Sequence, residues 1–141
     1  MEATTGLEDW LRRSLAAAAL PGVVAAYLFG SVAEHREHRE SDVDLGVLLD
    51  RATYATSRAR FEVKLRLSSA LGAALGRQVD VVVLNDAPPL LGRRIVTEGR
   101  AFLVSDSEAA HAFVRDIQLR AADLMPFLRR TRALKLGTVR G

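Results

Sequence analysis

With 141 residues, 49% of them hydrophobic, the chain has enough apolar material for a real core and is read as one domain over residues 1–141. No apolar run approaches the ~20 residues of a membrane span. The N-terminus has no signal-peptide layout, and the absence of cysteine excludes disulfide and thiol chemistry, so a cytoplasmic protein is expected. A net charge of +3 with 6% aromatic residues offers no basic stripe interleaved with stacking rings, and direct nucleic-acid binding is not expected.

In chain order, residues 5–20 read as a helix with Leu7, Trp10, Leu11 and Leu15 on one face and Thr4 or Thr5 as its cap. Val23–Phe29 (VVAAYLF) is a run of small and β-branched residues, read as a buried strand ending at Gly30. A short helix at Ser31 and a charged loop (HREHRE) lead to a second strand, 42–49 (DVDLGVLL). Residues 54–75 form a helix carrying Phe61, Leu65, Leu67, Leu71 and Leu75, closed by Gly76. A third strand at 79–84 follows, then a helix opened by Pro88-Pro89 and running through Glu98, a short strand at 101–104, and a last helix capped by Ser107 and reaching about Arg132. Trp10, Tyr27 and the stripe Phe113, Ile117, Leu124 and Leu128 are assigned to the core. This alternation gives an α/β (α+β) protein, a small mixed β-sheet flanked by helices.

The chemistry concentrates in three acids and one turn. Side chains alternate faces along a strand, so Asp42 and Asp44 emerge together, about 6–7 Å apart. Like charges that close call for a cation, and hard oxygen donors suit Mg²⁺. Asp80 interrupts the third strand near its start. With that strand beside the second, Asp42, Asp44 and Asp80 converge on one sheet face and can hold two metal ions about 4 Å apart, an arrangement used for in-line phosphoryl or nucleotidyl displacement. Gly30-Ser31, separated from Asp42 by ten residues, lies where a strand turns into a helix. Glycine lets the backbone approach a phosphate, and Ser31 offers an N–H and a hydroxyl at a helix N-terminus. Singly, a Gly-Ser pair is a turn and an Asp-x-Asp a solvated edge; their conjunction carries the reading. His35 and His38, beside Glu34, Glu37 and Glu40, are read as a solvated loop, because no Cys or further His stands at ligand spacing. His111 is read as a surface residue. Arg93-Arg94 and Arg129-Arg130 are read as solvated helix faces, with Arg93 or Arg94 as a phosphate or acceptor contact in the alternative.

The stretch GSVAEHREHRESDVDLGVLL resembles the signature of the DNA polymerase β nucleotidyltransferase superfamily. In particular it resembles the minimal nucleotidyltransferases (MNT), the antitoxin half of HEPN/MNT toxin–antitoxin pairs, over nearly the whole chain. The resemblance implies a polymerase β-like palm fold, with Asp42 and Asp44 as paired metal ligands, Asp80 as the third acid, and Gly30 and Ser31 as the triphosphate-binding turn. It further implies a Mg²⁺-dependent antitoxin that transfers AMP from ATP to a hydroxyl, a tyrosine, of a cognate HEPN RNase toxin and neutralises it within a hetero-oligomer. Members commonly carry basic residues and a glycine just after the Gly-Ser pair, where this chain has Val32, Glu34 and His35, which leaves Arg36 or Arg39 for the phosphates. Two other readings stay open: a small-molecule nucleotidyltransferase of the aminoglycoside-modifying kind, which usually needs a second domain, and an antitoxin that acts by binding alone, against which the clustered acids argue.

Overall fold

Two strands that are apolar on both faces must be covered on both sides, and the computed structural model shows how this chain does it. It describes residues 2–18, 20–30 and 42–140, with side chains from 6–18, 20–30, 42–124 and 126. The central strands β1 (Val23–Phe29) and β2 (Val43–Leu49) run antiparallel; β3 (Val79–Val83) lies parallel to β2, and β4 (Arg100–Val104) antiparallel to β1, in the order β3-β2-β1-β4. Helices α1 (Glu2–Ala17) and α2 (Ser57–Leu75) cover one face, packing Leu11, Leu15, Val63, Leu67 and Leu71 on Ala26, Leu28, Val43, Leu45, Val47, Val79 and Val81. Helices α3 (Pro89–Glu98) and α4 (Ser107–Arg140) lie on the other, where Ala25, Tyr27, Leu48, Leu84, Ile95 and Ala110 cluster. No helix among the described residues is long and apolar enough to cross a membrane.

The expected mixed sheet with flanking helices is therefore the observed one, with corrections at the edges. Helix α1 starts at Glu2, so Thr4 and Thr5 lie within it and not at its cap position. Helix α2 starts at Ser57, not residue 54, because the Thr56 side chain accepts from the Ala59 N–H; Gly76 closes it at φ 70°. Its buried stripe is Arg60, Val63, Leu67 and Leu71, while Phe61 and Leu65 are 52% and 53% exposed. Residues two apart on a helix stand about 200° apart, so one stripe cannot hold both Phe61 and Val63. Strand β3 stops at Val83, and a 3₁₀ turn (Leu84–Asp86) follows. The last helix is capped by Asp106, whose carboxylate accepts from the Ala109 N–H, and not by Ser107. It runs on past Arg132 to Arg140 with Pro126 inside it. Ile117 is buried and Phe113 half-buried as expected, Leu124 is exposed, and the Leu128 side chain lies outside the described residues. Tyr27 is buried, Trp10 packs on the core, and His111 is exposed.

Two features set the geometry around the site. A Cβ at Gly46 would stand 2.8 Å from Ile95 Cγ2, so the absence of a side chain there is what lets α3 lie close on the sheet beside Asp44. Beyond the end of β3, the Asn85 side chain acts as a further rung of the ladder: its Oδ1 accepts from the Leu49 N–H at 2.9 Å and its Nδ2 donates to the Leu49 carbonyl at 2.8 Å.

Nearby, Arg60 donates from Nε and Nη2 to both Asp86 oxygens at 2.9 Å and from Nη1 to the Tyr54 carbonyl at 2.8 Å, tying α2 to the turn after β3. The Arg60 side chain is 8% exposed, so losing its partner strands a buried cation. Asp86→Ala should cost about 2 kcal/mol in chemical unfolding, less than a fully enclosed pair because the carboxylate is 37% exposed. The Arg60 guanidinium holds the Asp86 carboxyl below the usual carboxylate range. A depressed folded-state pKa contributes stability above the unfolded-state value and loses it as pH falls through the folded one. The difference between wild type and Asp86→Ala should therefore shrink on acidification below the ordinary carboxylate pKa, and a gap that stays constant down to full protonation would remove the pair from the account.

Candidate active site

The chain brings its acids together through strand register. In the parallel β2–β3 pairing, Asp44 stands directly beside Asp80, and in the antiparallel β1–β2 pairing it stands beside Phe29. Partners across a ladder project to the same face, so Asp44 and Asp80 share the face covered by α3 and α4, at the start of both strands. Asp42 precedes β2 by one residue and is exposed. Burial first, then the charge of Asp80, then that of Asp42, pushes the Asp44 carboxyl above the ordinary carboxylate range.

Gly30 completes this corner. It follows β1 at a φ of 81°, and the Asp44 Oδ2 oxygen occupies the place a Cβ would need, with Cγ 3.2 Å and Cβ 3.4 Å from it. The turn and the acid are thus fitted to each other. Ser31, the other half of the expected phosphate turn, lies outside the described residues, as do Val32, Glu34, His35, Arg36, His38 and Arg39.

The carboxylates do not form a closed ligand shell: among the described residues no group of three acidic or imidazole side chains is placed to hold a metal ion as it stands. Asp80 Oδ1 accepts a long hydrogen bond, 3.3 Å, from Gln78 Nε2. As a donor set, three hard oxygen acids sharing one negative field are nonetheless of the kind that suits a divalent cation such as Mg²⁺. Two cavities open near this face. One, about 110 Å³, is lined by Phe29, Gly30, Leu91, Arg94 and Glu98. The other, about 550 Å³, lies along the β3 edge between α2 and α3, with Phe61, Lys64, Val82 and Leu91 in its wall. Leu91 borders both, and neither is lined by the three acids.

Comparison with known proteins now decides the family. The profile of the polymerase beta nucleotidyltransferase family matches residues 16–108, from the end of α1 to the start of α4. The chain belongs to the polymerase beta nucleotidyltransferase family. Among its relatives, the protein adenylyltransferase MntA of Shewanella oneidensis is 37% identical over 81 residues, which are 57% of this chain and 54% of MntA, so the match spans about half the length of that relative. A crystal structure of a toxin–antitoxin with AMP-PNP superposes with a TM-score of 0.66 at 26% identity, over 95% of this chain and 98% of that one. A complex of a tri-AMPylated Shewanella oneidensis HEPN toxin with an MNT antitoxin gives a TM-score of 0.62 at 23% identity over 98% and 99% of the two chains, and at that identity bears on the fold alone.

For a nucleotidyltransferase the corner is chemically coherent. It pairs concentrated carboxylate charge with a backbone turn whose glycine can let a phosphate come close. Sequence reasoning reached Asp42, Asp44, Asp80 and Gly30 through strand alternation and the punctuation of the apolar runs. It did not reach the contact between Gly30 and Asp44, or Glu98 as a member of the Gly30 cavity, because both depend on how α3 and two strands meet and not on any local spacing.

Proposed function

We propose that this chain is a Mg²⁺-dependent protein adenylyltransferase that moves AMP from ATP to a hydroxyl, a tyrosine, of a cognate HEPN toxin and so acts as its antitoxin. The observation that carries this reading is the register that sets Asp44 beside Asp80 and against Gly30, in a chain of the nucleotidyltransferase family related to MntA. In the reaction, the acceptor oxygen bonds to the α-phosphorus, the bond to the bridging oxygen breaks, and pyrophosphate leaves.

Asp42, Asp44 and Asp80 would hold the metal, as a pair of ions, and the bound metal supplies electrostatic stabilisation of the charge that develops on the phosphate oxygens. Asp80, the exposed acid on the outer strand, takes up the proton of the attacking hydroxyl at its carboxylate. Gly30 and Ser31 bind the triphosphate through backbone N–H groups and the serine hydroxyl. A protein acceptor presents its own side chain to the corner.

The test is to incubate the purified protein with Mg²⁺, ATP and the product of the neighbouring open reading frame, and to weigh and map the products. The proposal expects that partner to gain mass in AMP units on tyrosine, with matching release of pyrophosphate. Modification of an aminoglycoside and of no protein would establish a small-molecule enzyme instead. Full protection of cells by an Asp42→Asn, Asp44→Asn variant at normal expression would establish an antitoxin that works by binding alone.

A further inference from the structure

We propose that Arg94 grips the β- and γ-phosphates of the nucleotide, with Glu98 setting the plane of its guanidinium; this rests on the nucleotidyltransferase reading above. The cavity formed by Phe29, Gly30, Leu91, Arg94 and Glu98 opens at the residue that abuts Asp44. At about 110 Å³ it is far below the roughly 300–1,000 Å³ of pockets that enclose drug-sized molecules, so it suits phosphoryl groups and not a nucleoside. Arg94 is the one cation among its described lining residues, and Arg93, next along α3, does not line it.

The state of the guanidinium supports the assignment. Arg94 Nε donates to Glu98 Oε2 at 3.0 Å, while the two Nη groups have no partner among the described residues. With side chains 70% and 62% exposed, this i,i+4 pair adds little to stability. Its effect is directional: one edge of the fork is anchored and neutralises Glu98, and the other presents the N–H geometry that matches phosphate oxygens. The positions just after Gly30 hold Val32, Glu34 and His35, so no arginine or lysine stands within five residues of Gly30. A polyphosphate leaving group beside three carboxylates gains from positive charge in addition to the metal's, and Arg94 of α3 lies in the cavity at Gly30.

Calorimetry with Mg²⁺ and ATP, AMP or inorganic tripolyphosphate tests this on the purified protein. Arg94→Ala should weaken ATP and tripolyphosphate by on the order of tenfold or more and leave AMP within about twofold, because only the outer phosphates are released. Arg94→Lys should fall between, keeping the charge without the fork, and Arg93→Ala should match wild type. Glu98→Gln, which keeps an acceptor for Nε, should bind ATP as wild type does, whereas Glu98→Ala should weaken it with an unchanged melting temperature. Equal losses of ATP and AMP in Arg94→Ala, or no loss of either, would overturn the proposal. If the wild type binds ATP in this Arg94-dependent way yet transfers nothing, the phosphate grip stands and the transferase reading falls; a wild type that binds neither ATP nor tripolyphosphate overturns both.

Discussion

Asp44→Asn should reduce nucleotidyl transfer by roughly a thousandfold or more and at the same time raise the melting temperature of the protein on its own. The two effects have one cause. Partial burial together with the fields of Asp80 and Asp42 lifts the Asp44 carboxyl above the ordinary carboxylate range, so its ionised form is disfavoured in the folded chain. The sign follows from linkage: a raised folded-state pKa gives stability that is present below the unfolded-state value and lost as pH rises through the folded one. At neutral pH the charge on Asp44 therefore costs stability, and asparagine removes it without changing the shape of the side chain. Melting curves without divalent ions should show the variant ahead of wild type at pH 7, with the gap closing as acid protonates Asp44. Added Mg²⁺ should stabilise wild type more than the variant. A variant that melts below wild type at pH 7, or that still transfers, would contradict the role given to this acid.

Gly30→Ala should nearly abolish transfer through Asp44 and not through the turn alone. A residue with a Cβ at a φ of 81° carries a penalty of about 1–2 kcal/mol. The added atom also falls on the Asp44 Oδ2, so the carboxylate must swing away or the turn must open. A double-mutant cycle separates these effects. In an Asp44→Ala background the clash is gone and only the backbone penalty remains, so Gly30→Ala should cost measurably less stability there than in wild type. Identical costs in both backgrounds would show that the two residues are not in contact. Gly30→Val, with a bulkier branched side chain, should also lose ATP affinity by calorimetry, and unchanged affinity would take this turn out of the nucleotide site.

Strand β1 was legible almost to the residue, because a run that must be apolar on both faces has sharp ends, here Pro21-Gly22 and Gly30. The placement of Asp44 and Asp80 on one face followed from alternation once β2 and β3 were adjacent, and their parallel register brings them side by side. Helix boundaries were less legible, since Thr4, Thr5, Thr56, Asp106 and Ser107 are all competent caps and tertiary packing chooses among them. The apolar stripe on α2 misled because Phe61 belongs to the wall of the large cavity and Leu65 is exposed, while the buried face includes Arg60, a residue whose burial makes sense only once Asp86 is known to meet it. Arg94 had a similar ambiguity: on sequence a solvated helix arginine or, in the alternative, a phosphate or acceptor contact, and in the fold an exposed side chain that lines the cavity at Gly30.

The most direct test of nucleotidyl transfer compares ATP labelled at the α-phosphate with ATP labelled at the γ-phosphate, in parallel reactions with Mg²⁺ and the neighbouring gene product. Attack at the α-phosphorus with pyrophosphate as leaving group predicts that the α-label becomes bound to the partner protein and that the γ-label does not, appearing only in pyrophosphate. Transfer of the γ-label to the protein, or of neither label, would contradict it.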